Sequence, residues 1–301
     1  MVPRAVLLTD LDNTLFSWID YFAPSIRAMV GALSSVTGVP ADDIYPQLRE
    51  VFRRHNAAEH PRVIRELKLY HDRDPVEREE IVRLGQQVFD QARSVNLKAY
   101  PGVVAALTEL RNHDVVVVGV TSSSVYDAVT RIEMLGLAPL LDTVIAWQGI
   151  PGIAPPDHTE LARRVVSIPT ELLKPSCHPY QMALERCDLD KLVPVWVVGD
   201  SIANDLIPAR AIGARTVWAR YGHAYERVNF ETILRVTFWD AGKVKSAYDS
   251  SIMEPDEIID DFGQIVELML GEERRAATHF DFAGPDPRLD SISTGCDSEE
   301  R

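Results

Sequence analysis

The sequence is poor in cysteine, and the three that it has in 301 residues are Cys177, Cys187 and Cys296. They form neither a CxxC pair nor a disulfide framework, so we expect a protein with reduced thiols. Long apolar runs are missing as well, since none approaches the roughly 20 residues that a membrane span needs. Only about five apolar or small residues precede Asp10, fewer than the about 7–15 of a secretion signal. These absences predict a cytoplasmic protein without a membrane partner.

The sequence also lacks an excess of basic residues. It contains 31 lysines and arginines against 45 aspartates and glutamates, which gives a net charge of −14. Because such a surface repels a phosphate backbone, we expect no nucleic-acid partner, although a local cleft can still attract a small anion. The 46% hydrophobic and 25% charged residues are typical of a soluble globular protein and exclude wholesale disorder. The oligomeric state is not indicated by the sequence.

Short apolar runs alternate with helical patterns along much of the chain. The runs do not alternate apolar with polar residues, which is typical of strands buried on both faces of a parallel sheet. They are Ala5–Thr9, Val115–Thr121, Thr143–Trp147, Val193–Val198 and Arg215–Trp218. The predicted fold class is therefore α/β, with a Rossmann-like, doubly wound parallel sheet. In such a sheet, ligands bind outside the carboxyl ends of the strands.

One long segment interrupts this alternation directly after the first strand. Its apolar residues recur at helical spacing, and it contains no convincing strand. We expect an inserted all-helical cap that hangs over the ligand cleft. The final segment has few apolar residues and is expected to be a disordered acidic tail. The predicted domains are an α/β core over 1–16 and 98–270, a helical cap over 17–97, and the tail over 271–301.

Two carboxylates, Asp10 and Asp12, follow the first predicted strand. Residues two apart in an extended chain point the same way, so both side chains can face one pocket. Two neighbouring carboxylates are costly unless a cation or a shared proton relieves their repulsion. A plain turn would also use these residue types, so this segment alone does not establish a site.

Three further segments place polar groups at strand ends or just before a helix. Thr121 begins a run of hydroxyl residues that suits phosphate oxygens. Lys174 precedes a predicted helix, and Asp200 and Asp205 follow another buried strand. Each segment has an ordinary structural explanation by itself. The occurrence of all of them in this order indicates a functional site.

These segments resemble, in order, the four motifs of the haloacid dehalogenase superfamily. Residues 10–14, Asp-Leu-Asp-Asn-Thr, resemble the first motif, DxDxT. Thr121 matches the hydroxyl of the second motif, Lys174 the lysine of the third, and Asp200 with Asp205 the acidic fourth. Members with a helical cap between the first two motifs carry it where the insert lies here.

The resemblance implies a phosphatase mechanism. Asp10 would be the nucleophile that attacks phosphorus and forms an aspartyl-phosphate. Asp12 would protonate the departing alkoxide and then take a proton from the hydrolytic water. Mg²⁺ would be held by the Asp10 carboxylate, the Asp12 backbone carbonyl and the Asp200 carboxylate. Lys174 would supply a second positive charge beside Asp10.

The same resemblance suggests the groups that hold the phosphate. The predicted phosphate-binding residues are Leu11, Thr14, Thr121, Ser122 and Lys174. Thr14 would also orient the loop that carries the two aspartates. Asp205 would lie outside the metal ligands and fix Lys174, with direct metal contact as the alternative.

Asp12 also bears on the type of reaction. Family members that cleave carbon–halogen bonds need no acid for the halide, so this aspartate favours an oxygen leaving group. We expect hydrolysis of a small phosphorylated metabolite, such as a sugar phosphate, a phosphoglycolate-like acid or a nucleoside monophosphate. A phosphomutase, a dehalogenase and a non-catalytic binding relative remain alternatives.

The roles of several other residues stay open. The extended segments 148–173 and 220–254 depart from a compact family member, and His178 is either a loop residue or a substrate contact. Seven basic residues of the cap stand out in this acidic sequence, and they are either solvated or bind a second anionic group of the substrate. They are Arg49, Arg53, Arg54, Arg62, Arg65, Lys68 and Arg73.

Overall fold

The structure is a computed structural model, and it describes residues 3–154, 160–187, 193–240, 242 and 246–271. Nearly all of the predicted acidic tail, residues 272–301, lies outside the described residues, and Cys296 lies there too. Among the described helices, none combines the length and the apolarity that crossing a bilayer requires.

Seven parallel strands form one sheet in the order β4-β3-β2-β1-β5-β6-β7. The strands are β1 (Ala5–Thr9), β2 (Val115–Ser124), β3 (Thr143–Trp147), β4 (Val165–Ile168), β5 (Val195–Gly199), β6 (Arg215–Ala219) and β7 (Glu257–Ile259). The chain runs outward from β1 in both directions, so the strand order reverses between β1 and β5. This arrangement confirms the predicted α/β fold and places a ligand crevice beside the carboxyl end of β1.

The helices of the described residues lie around this sheet. They are α1 (Trp18–Thr37), α2 (Ala41–His55), α3 (Lys68–His71), α4 (Pro75–Asn96), α5 (Val103–Asn112), α6 (Val125–Met134), α7 (His178–Arg186), α8 (Ile207–Ala211), α9 (Arg227–Val236) and a last helix, α10, over 264–271. The first four occupy the segment predicted to be helical, and no strand lies among them. Its separation from the core as a cap domain stays a prediction.

Local sequence signals explain the bounds of the long helices in this segment. Ser17 caps α1 by accepting a hydrogen bond from the Asp20 amide, and Gly38 ends that helix in the left-handed conformation that suits glycine. Asp74 caps α4, with Pro75 at the first helical position. Gly85 lets α4 approach its neighbours closely, because a Cβ there would lie 2.6 Å from a methyl of Ile64 in the turn Val63–Glu66 and 3.2 Å from a methyl of Leu33 in α1.

Helix α9, which falls in one of the segments left without a role, ties the helical insert to the sheet. Arg27 of α1 donates to the side-chain oxygens of Asn229 at 2.8 Å and Thr232 at 3.0 Å. Asn229 in turn donates to Asp20 at 2.8 Å. One apolar cluster also continues from β1 into α1 and α4. The insert is therefore packed against the sheet through both polar and apolar contacts.

Strands β4 and β7 were not predicted, and β2, β5 and β6 differ in their bounds from the predicted runs. Both strands lie at sheet edges and contain only four and three residues, so neither produces a long apolar run. Strand β2 continues to Ser124 through an irregularity in its pairing with β3. The helix that apolar spacing predicts over 203–212 is instead a π-helical turn over Ile202–Leu206, followed by α8.

Candidate active site

The predicted site residues meet at the carboxyl ends of β1, β2 and β5. Asp10 follows β1, Thr121 lies near the end of β2, and Asp200 follows β5. The Asp10 amide donates to the Val198 carbonyl at 2.9 Å, which joins the ends of β1 and β5. All of these residues except Val198 line one cavity of about 460 Å³, and Lys174 lines it too.

The loop after β1 is a tight turn that fixes the orientation of Asp10. Thr14 Oγ1 donates to Asp10 Oδ2 at 3.1 Å, which is the contact that its predicted orienting role requires. Asn13 has a positive φ of 59°, which asparagine tolerates better than most residues, and its Oδ1 accepts from the Trp18 amide at 3.0 Å. Thr14 and Leu11 are buried and do not line the cavity, so their contact with phosphate stays a prediction.

Lys174 is buried between two aspartates. Its Nζ donates to Asp10 Oδ1 at 2.5 Å and to Asp205 Oδ1 at 2.6 Å. Asp205 also accepts from the Tyr180 hydroxyl at 3.1 Å and, through Oδ2, from the Ser201 amide at 3.0 Å. Asp205 thus accepts three hydrogen bonds, and the one from Lys174 is the contact that its predicted role of fixing that lysine requires. Tyr180 was not anticipated from the sequence.

The π-helical turn places Asp205 under β5. Ser201 caps this turn by accepting from the Asn204 amide at 3.1 Å. A Cβ at Gly199 would lie 2.4 Å from the Asp205 carboxyl carbon, so only glycine fits at the end of β5. Single π turns inside helices are frequent at functional sites. Here the wider turn returns the Asp205 side chain to Lys174.

The site holds more negative charge than its buried cation can balance. Burial raises the pKa of Asp10 to about 7, against the opposing effect of Lys174 and with a further increase from Asp205. Burial, with the charges of Asp10 and Asp205, raises the pKa of Asp200 well above its usual value. Burial alone would lower the pKa of Lys174, but the two flanking carboxylates raise it well above the ordinary value.

These carboxylates fit a hard divalent cation. Ligand oxygens of Asp10, Asp200 and Asp205 lie within 4.8 Å of one another in a buried group. Since Lys174 balances one of the three charges, two remain for a cation to neutralise. Oxygen donors of this kind suit Mg²⁺. Asp205 already accepts three hydrogen bonds and Asp10 accepts two, so Asp10 and Asp200 are the two aspartates more open to such an ion.

Asp12 faces a different set of partners. Its Oδ2 accepts from Ser123 Oγ at 2.7 Å and from Thr121 Oγ1 at 3.3 Å. Its Oδ1 is buried without a hydrogen-bond partner and lies 3.6 Å from Nη2 of Arg131. Ser122 is exposed and lines the cavity beside Asp12. Ser123 and Arg131 are additions to the residues predicted from the sequence.

Arg131 belongs to a buried network that joins α6 to the helical insert. Its guanidinium donates to the Tyr21 hydroxyl at 2.7 Å and to the Glu59 carboxylate. Glu59 also accepts from Trp18 Nε1 at 2.7 Å. The sequence did carry a signal, because Arg131 lies on the apolar face of α6 among Ala128 and its buried neighbours.

The segments left without a role contribute to the site. The Tyr221 hydroxyl donates to the Thr14 carbonyl at 2.6 Å, next to the loop that carries Asp10. A Cβ at Gly222 would lie 2.1 Å from the Asn13 carbonyl oxygen, so the turn Arg220–His223 depends on glycine there. Thr170 lines the cavity from the other segment, next to Trp147 at the end of β3, and Trp239 and Tyr248 line it from the chain after α9.

The hypothesised second anion site is not supported by the geometry. None of the seven basic residues of the insert is among the described residues that line the cavity. Arg53 pairs with Glu50 and Arg65 with Glu79, both at exposed positions. His178 is outside the cavity as well, where its Nδ1 lies 2.7 Å from Ser176 Oγ. The alternatives of solvated cap residues and a loop histidine fit the structure better.

A second group of possible metal ligands lies in the insert, at His55, His60 and Glu66. The Arg62 amide donates to His60 Nδ1 at 3.0 Å, so the proton of the neutral ring is on Nε2. That Nε2 lies 2.8 Å from Glu66, which also pairs with His55 and Arg54. Burial lowers the pKa of His60, in keeping with a neutral ring. A metal would have to displace that proton, so we interpret the group as a hydrogen-bonded link between α2 and the following turn.

Comparison with known proteins agrees with this geometry. The family model of the haloacid dehalogenase-like hydrolases matches residues 5–213, more than half of the chain, so the chain belongs to that family. No curated protein sequence matches the chain.

Two solved structures share the fold at low sequence identity. A 2-haloacid dehalogenase from Pseudomonas syringae pv. Tomato DC3000 is 19% identical with a TM-score of 0.52, over 91% of this chain and 100% of that one. A HAD phosphatase from Thermococcus onnurineus is 16% identical with a TM-score of 0.51, over 89% of this chain and 98% of that one. Both likenesses concern the fold alone.

Proposed function

We propose that this haloacid dehalogenase-like hydrolase is a Mg²⁺-dependent phosphomonoester hydrolase that acts through an aspartyl-phosphate on Asp10. The observation that carries the proposal is the pair of aspartates with separate partners in one cavity. Asp10 lies 2.5 Å from the Lys174 ammonium, whereas Asp12 lies 2.7 Å from the Ser123 hydroxyl. Two carboxylates in different surroundings are what a nucleophile and an acid/base require.

In the first half of the reaction, an oxygen of Asp10 attacks phosphorus. The bond from phosphorus to the leaving oxygen breaks, and Asp12 gives that oxygen its proton. Lys174 reduces the repulsion between the Asp10 carboxylate and the phosphate dianion. Thr121 and Ser122 would bind the equatorial phosphate oxygens. When bound at Asp10 and Asp200, Mg²⁺ would supply the positive charge that the phosphate oxygens need.

In the second half, water attacks the phosphorus of the aspartyl-phosphate. Asp12, now ionised, takes a proton from that water, and the bond between phosphorus and Asp10 breaks. Inorganic phosphate leaves, and both aspartates return to their starting states. Asp205 would keep Lys174 in place throughout, because it accepts a hydrogen bond from the ammonium at 2.6 Å besides the one to Asp10.

An acid in this place favours phosphate esters over organohalides. A halide leaves without a proton, so a dehalogenase would not need Asp12 as a general acid. An alkoxide leaves poorly unless it is protonated, and general acid catalysis of that kind contributes about 10²–10⁴-fold. A phosphomutase would use the same residues but would return the phosphoryl group to a sugar, so its product differs.

The test compares the wild type with Asp10→Asn and Asp12→Asn. We expect release of inorganic phosphate from p-nitrophenyl phosphate and from alkyl phosphates that requires Mg²⁺ and stops with a chelator. Asp10→Asn should lower kcat by at least about 10³-fold, as loss of the nucleophile does. Chloride release from 2-chloropropionate by the wild type, without phosphate release, would refute the proposal. So would full phosphatase activity in Asp10→Asn.

A further inference from the structure

Five aromatic side chains contribute to the walls of the candidate cavity. They are Trp18, Trp147, Phe238, Trp239 and Tyr248. Trp239 packs on Trp18 with ring centroids 5.1 Å apart, and Trp147 is fixed by its Nε1, which donates to Thr170 at 2.9 Å. Both Trp147 and Trp239 are half-buried, so part of each ring remains open to a ligand. The cavity therefore offers rigid flat surfaces.

Three of the five aromatic side chains lie outside the segment that the family model matches. Phe238, Trp239 and Tyr248 follow residue 213, where that match ends. The matched segment therefore does not account for these three side chains, and they bear on which substrate this chain selects.

The charges of the cavity bear on the substrate as well. Lys174 is the only cation among the described residues that line it, and both Asp10 and Asp205 already hold that ammonium. The carboxylates of Asp12 and Glu59 also line the cavity. A leaving group with its own carboxylate or second phosphate would find no positive partner there and would be repelled.

We infer that the substrate carries its phosphate on a flat, uncharged ring system, with a nucleoside as the chemical class that fits. The inference rests on the proposed phosphatase function and narrows its substrate. Stacking of one base on aromatic side chains is worth about 5- to 150-fold in binding. A sugar alone gains little from such walls, and an organic acid is opposed by the carboxylates.

The test uses two substrates that differ only in the base. Adenosine 5′-monophosphate and ribose 5-phosphate leave through the same primary alcohol, so a difference in kcat/KM reports on recognition of the base. We expect the nucleotide to be preferred by about 5- to 150-fold. Trp239→Leu and Trp147→Leu should each reduce that preference through KM. Tyr70→Leu, which changes an aromatic residue of the insert outside the cavity, should leave it unchanged.

The failures of the two proposals are distinguishable. If the wild type hydrolyses no phosphate ester, the phosphatase function itself is refuted. If it hydrolyses both substrates with the same kcat/KM, the function stands and the aromatic inference is refuted. Equal losses on both substrates in the tryptophan variants would mean that these rings are structural, which also overturns the inference.

A separate observation concerns Arg131. Its guanidinium is only 2% exposed, and its Nε and Nη2 have no hydrogen-bond partner among the described residues. Two nitrogens of this buried arginine donate no hydrogen bond, and each unsatisfied buried polar group costs about 1–3 kcal/mol of stability. Stability alone therefore does not explain an arginine at this position. Its Nη2 lies 3.6 Å from Asp12 Oδ1, which is also without a partner.

We infer that Arg131 is a positioning residue that holds Asp12 toward the leaving oxygen. The buried oxygen of Asp12, Oδ1, lies beside the charge of Arg131 without a hydrogen bond to it, which fixes the direction of the carboxyl group. The other oxygen, Oδ2, lies on the partly exposed side of the group beside Ser123 and Thr121, where it can meet the leaving oxygen. Glu59 and Tyr21 fix the guanidinium, so the helical insert contributes to the position of the acid. This inference also rests on the proposed function.

Leaving groups of different basicity test this role. p-Nitrophenolate departs without a proton, whereas the alkoxide of benzyl phosphate needs one, so a misplaced acid harms the second substrate more. We expect Arg131→Met to lower kcat for benzyl phosphate at least 10-fold more than for p-nitrophenyl phosphate. Arg131→Lys should restore part of this difference. If Arg131→Met does not fold, Tyr21→Phe removes one support of the guanidinium and should give the same asymmetry at about 2- to 5-fold. Equal losses on both substrates would overturn the inference.

Discussion

Replacement of Lys174 by methionine should destabilise the metal-free protein in a way that depends on pH. The Lys174 side chain is 5% exposed, and its ammonium lies 2.5 Å from Asp10 and 2.6 Å from Asp205. At an effective dielectric of 20, each contact represents about 6 kcal/mol of gross attraction, most of which is offset by the cost of burying the charges. Removing one partner of a buried pair costs about 3–5 kcal/mol. We expect that loss in the free energy of unfolding at pH 8.

The same variant should lose much less stability at pH 5.5. The pKa of Asp10 is raised to about 7 even beside Lys174, so its carboxyl is mostly protonated at that pH. Because the folded protein binds the Asp10 proton more tightly than the unfolded chain does, this protonation stabilises the fold. The contribution is complete below about pH 4 and is lost as the pH rises through 7. In the Lys174→Met variant the pKa of Asp10 rises further, because the ammonium is gone. The free energy of unfolding of the variant therefore falls more steeply than that of the wild type as the pH rises. The cost at pH 5.5 should approach the about 1–3 kcal/mol of a buried polar group without its partner.

Urea unfolding without metal at the two pH values measures both effects. Lys68→Met, which removes an exposed lysine, is the matched control and should change stability by less than about 0.5 kcal/mol at either pH. The double variant Asp10→Asn with Lys174→Met should regain part of the loss at pH 8, because one of the stranded charges is gone. An equal loss at pH 5.5 and pH 8, or no loss at all, would refute this account of the site.

Three further predictions concern the metal, the buried network and the loop. Mg²⁺ at 100 times its Kd should raise the free energy of unfolding at pH 8 by about 2.7 kcal/mol, and Asp200→Asn should abolish this effect in the same urea titration. Burial, with the charge of Glu59, raises the pKa of Asp127 from 3.8 to about 7. The protonated carboxyl of Asp127 therefore stabilises the fold at low pH, and this stabilisation is lost as the pH rises through 7. Asp127→Asn should therefore stabilise the protein at pH 8 by about 1–2 kcal/mol, less than for a fully buried group, and have little effect at pH 4. Gly222→Ala should cost about 1–3 kcal/mol and lower kcat/KM, because its Cβ would overlap the Asn13 carbonyl; Gly31→Ala, with open space around it, should be neutral or slightly stabilising.

The sheet could be predicted where burial on both faces leaves a continuous apolar run. Strand β1 and the polar residues after it were found in this way, since the run ends abruptly at Asp10. Strands β4 and β7 could not be found, because four and three residues at the sheet edges carry little pattern. The π turn was missed because helical periodicity in Ala203–Ile212 does not reveal the one extra residue that it accommodates.

Most of the proposed site residues came together because they stand at strand ends, and topology alone brings parallel strand ends to one edge. Lys174 is different, since it lies in the loop between β4 and α7. The partners of the site residues were not predictable in this way. Tyr180 and Ser123 meet aspartates through tertiary contacts, and Glu59 reaches Arg131 from 72 positions away. The hypothesis of basic residues in the insert as anion ligands followed charge composition, which does not report the direction of a side chain.

The two aspartates of the first loop show how different surroundings suit identical side chains to different roles, one as nucleophile and the other as acid/base. Asp10 and Asp12 are two residues apart, but the cation of Asp10 is in hydrogen-bond contact at 2.5 Å, whereas that of Asp12 stands at 3.6 Å. A nucleophile benefits from a fixed direction and a close positive charge, and it needs no proton of its own. An acid/base must gain and lose a proton in each cycle, which a direct ion pair would oppose. The assignment of the two roles therefore depends on the difference of about one ångström between the two ion pairs. A structure in which Arg131 contacts Asp12 directly during turnover would reverse this assignment.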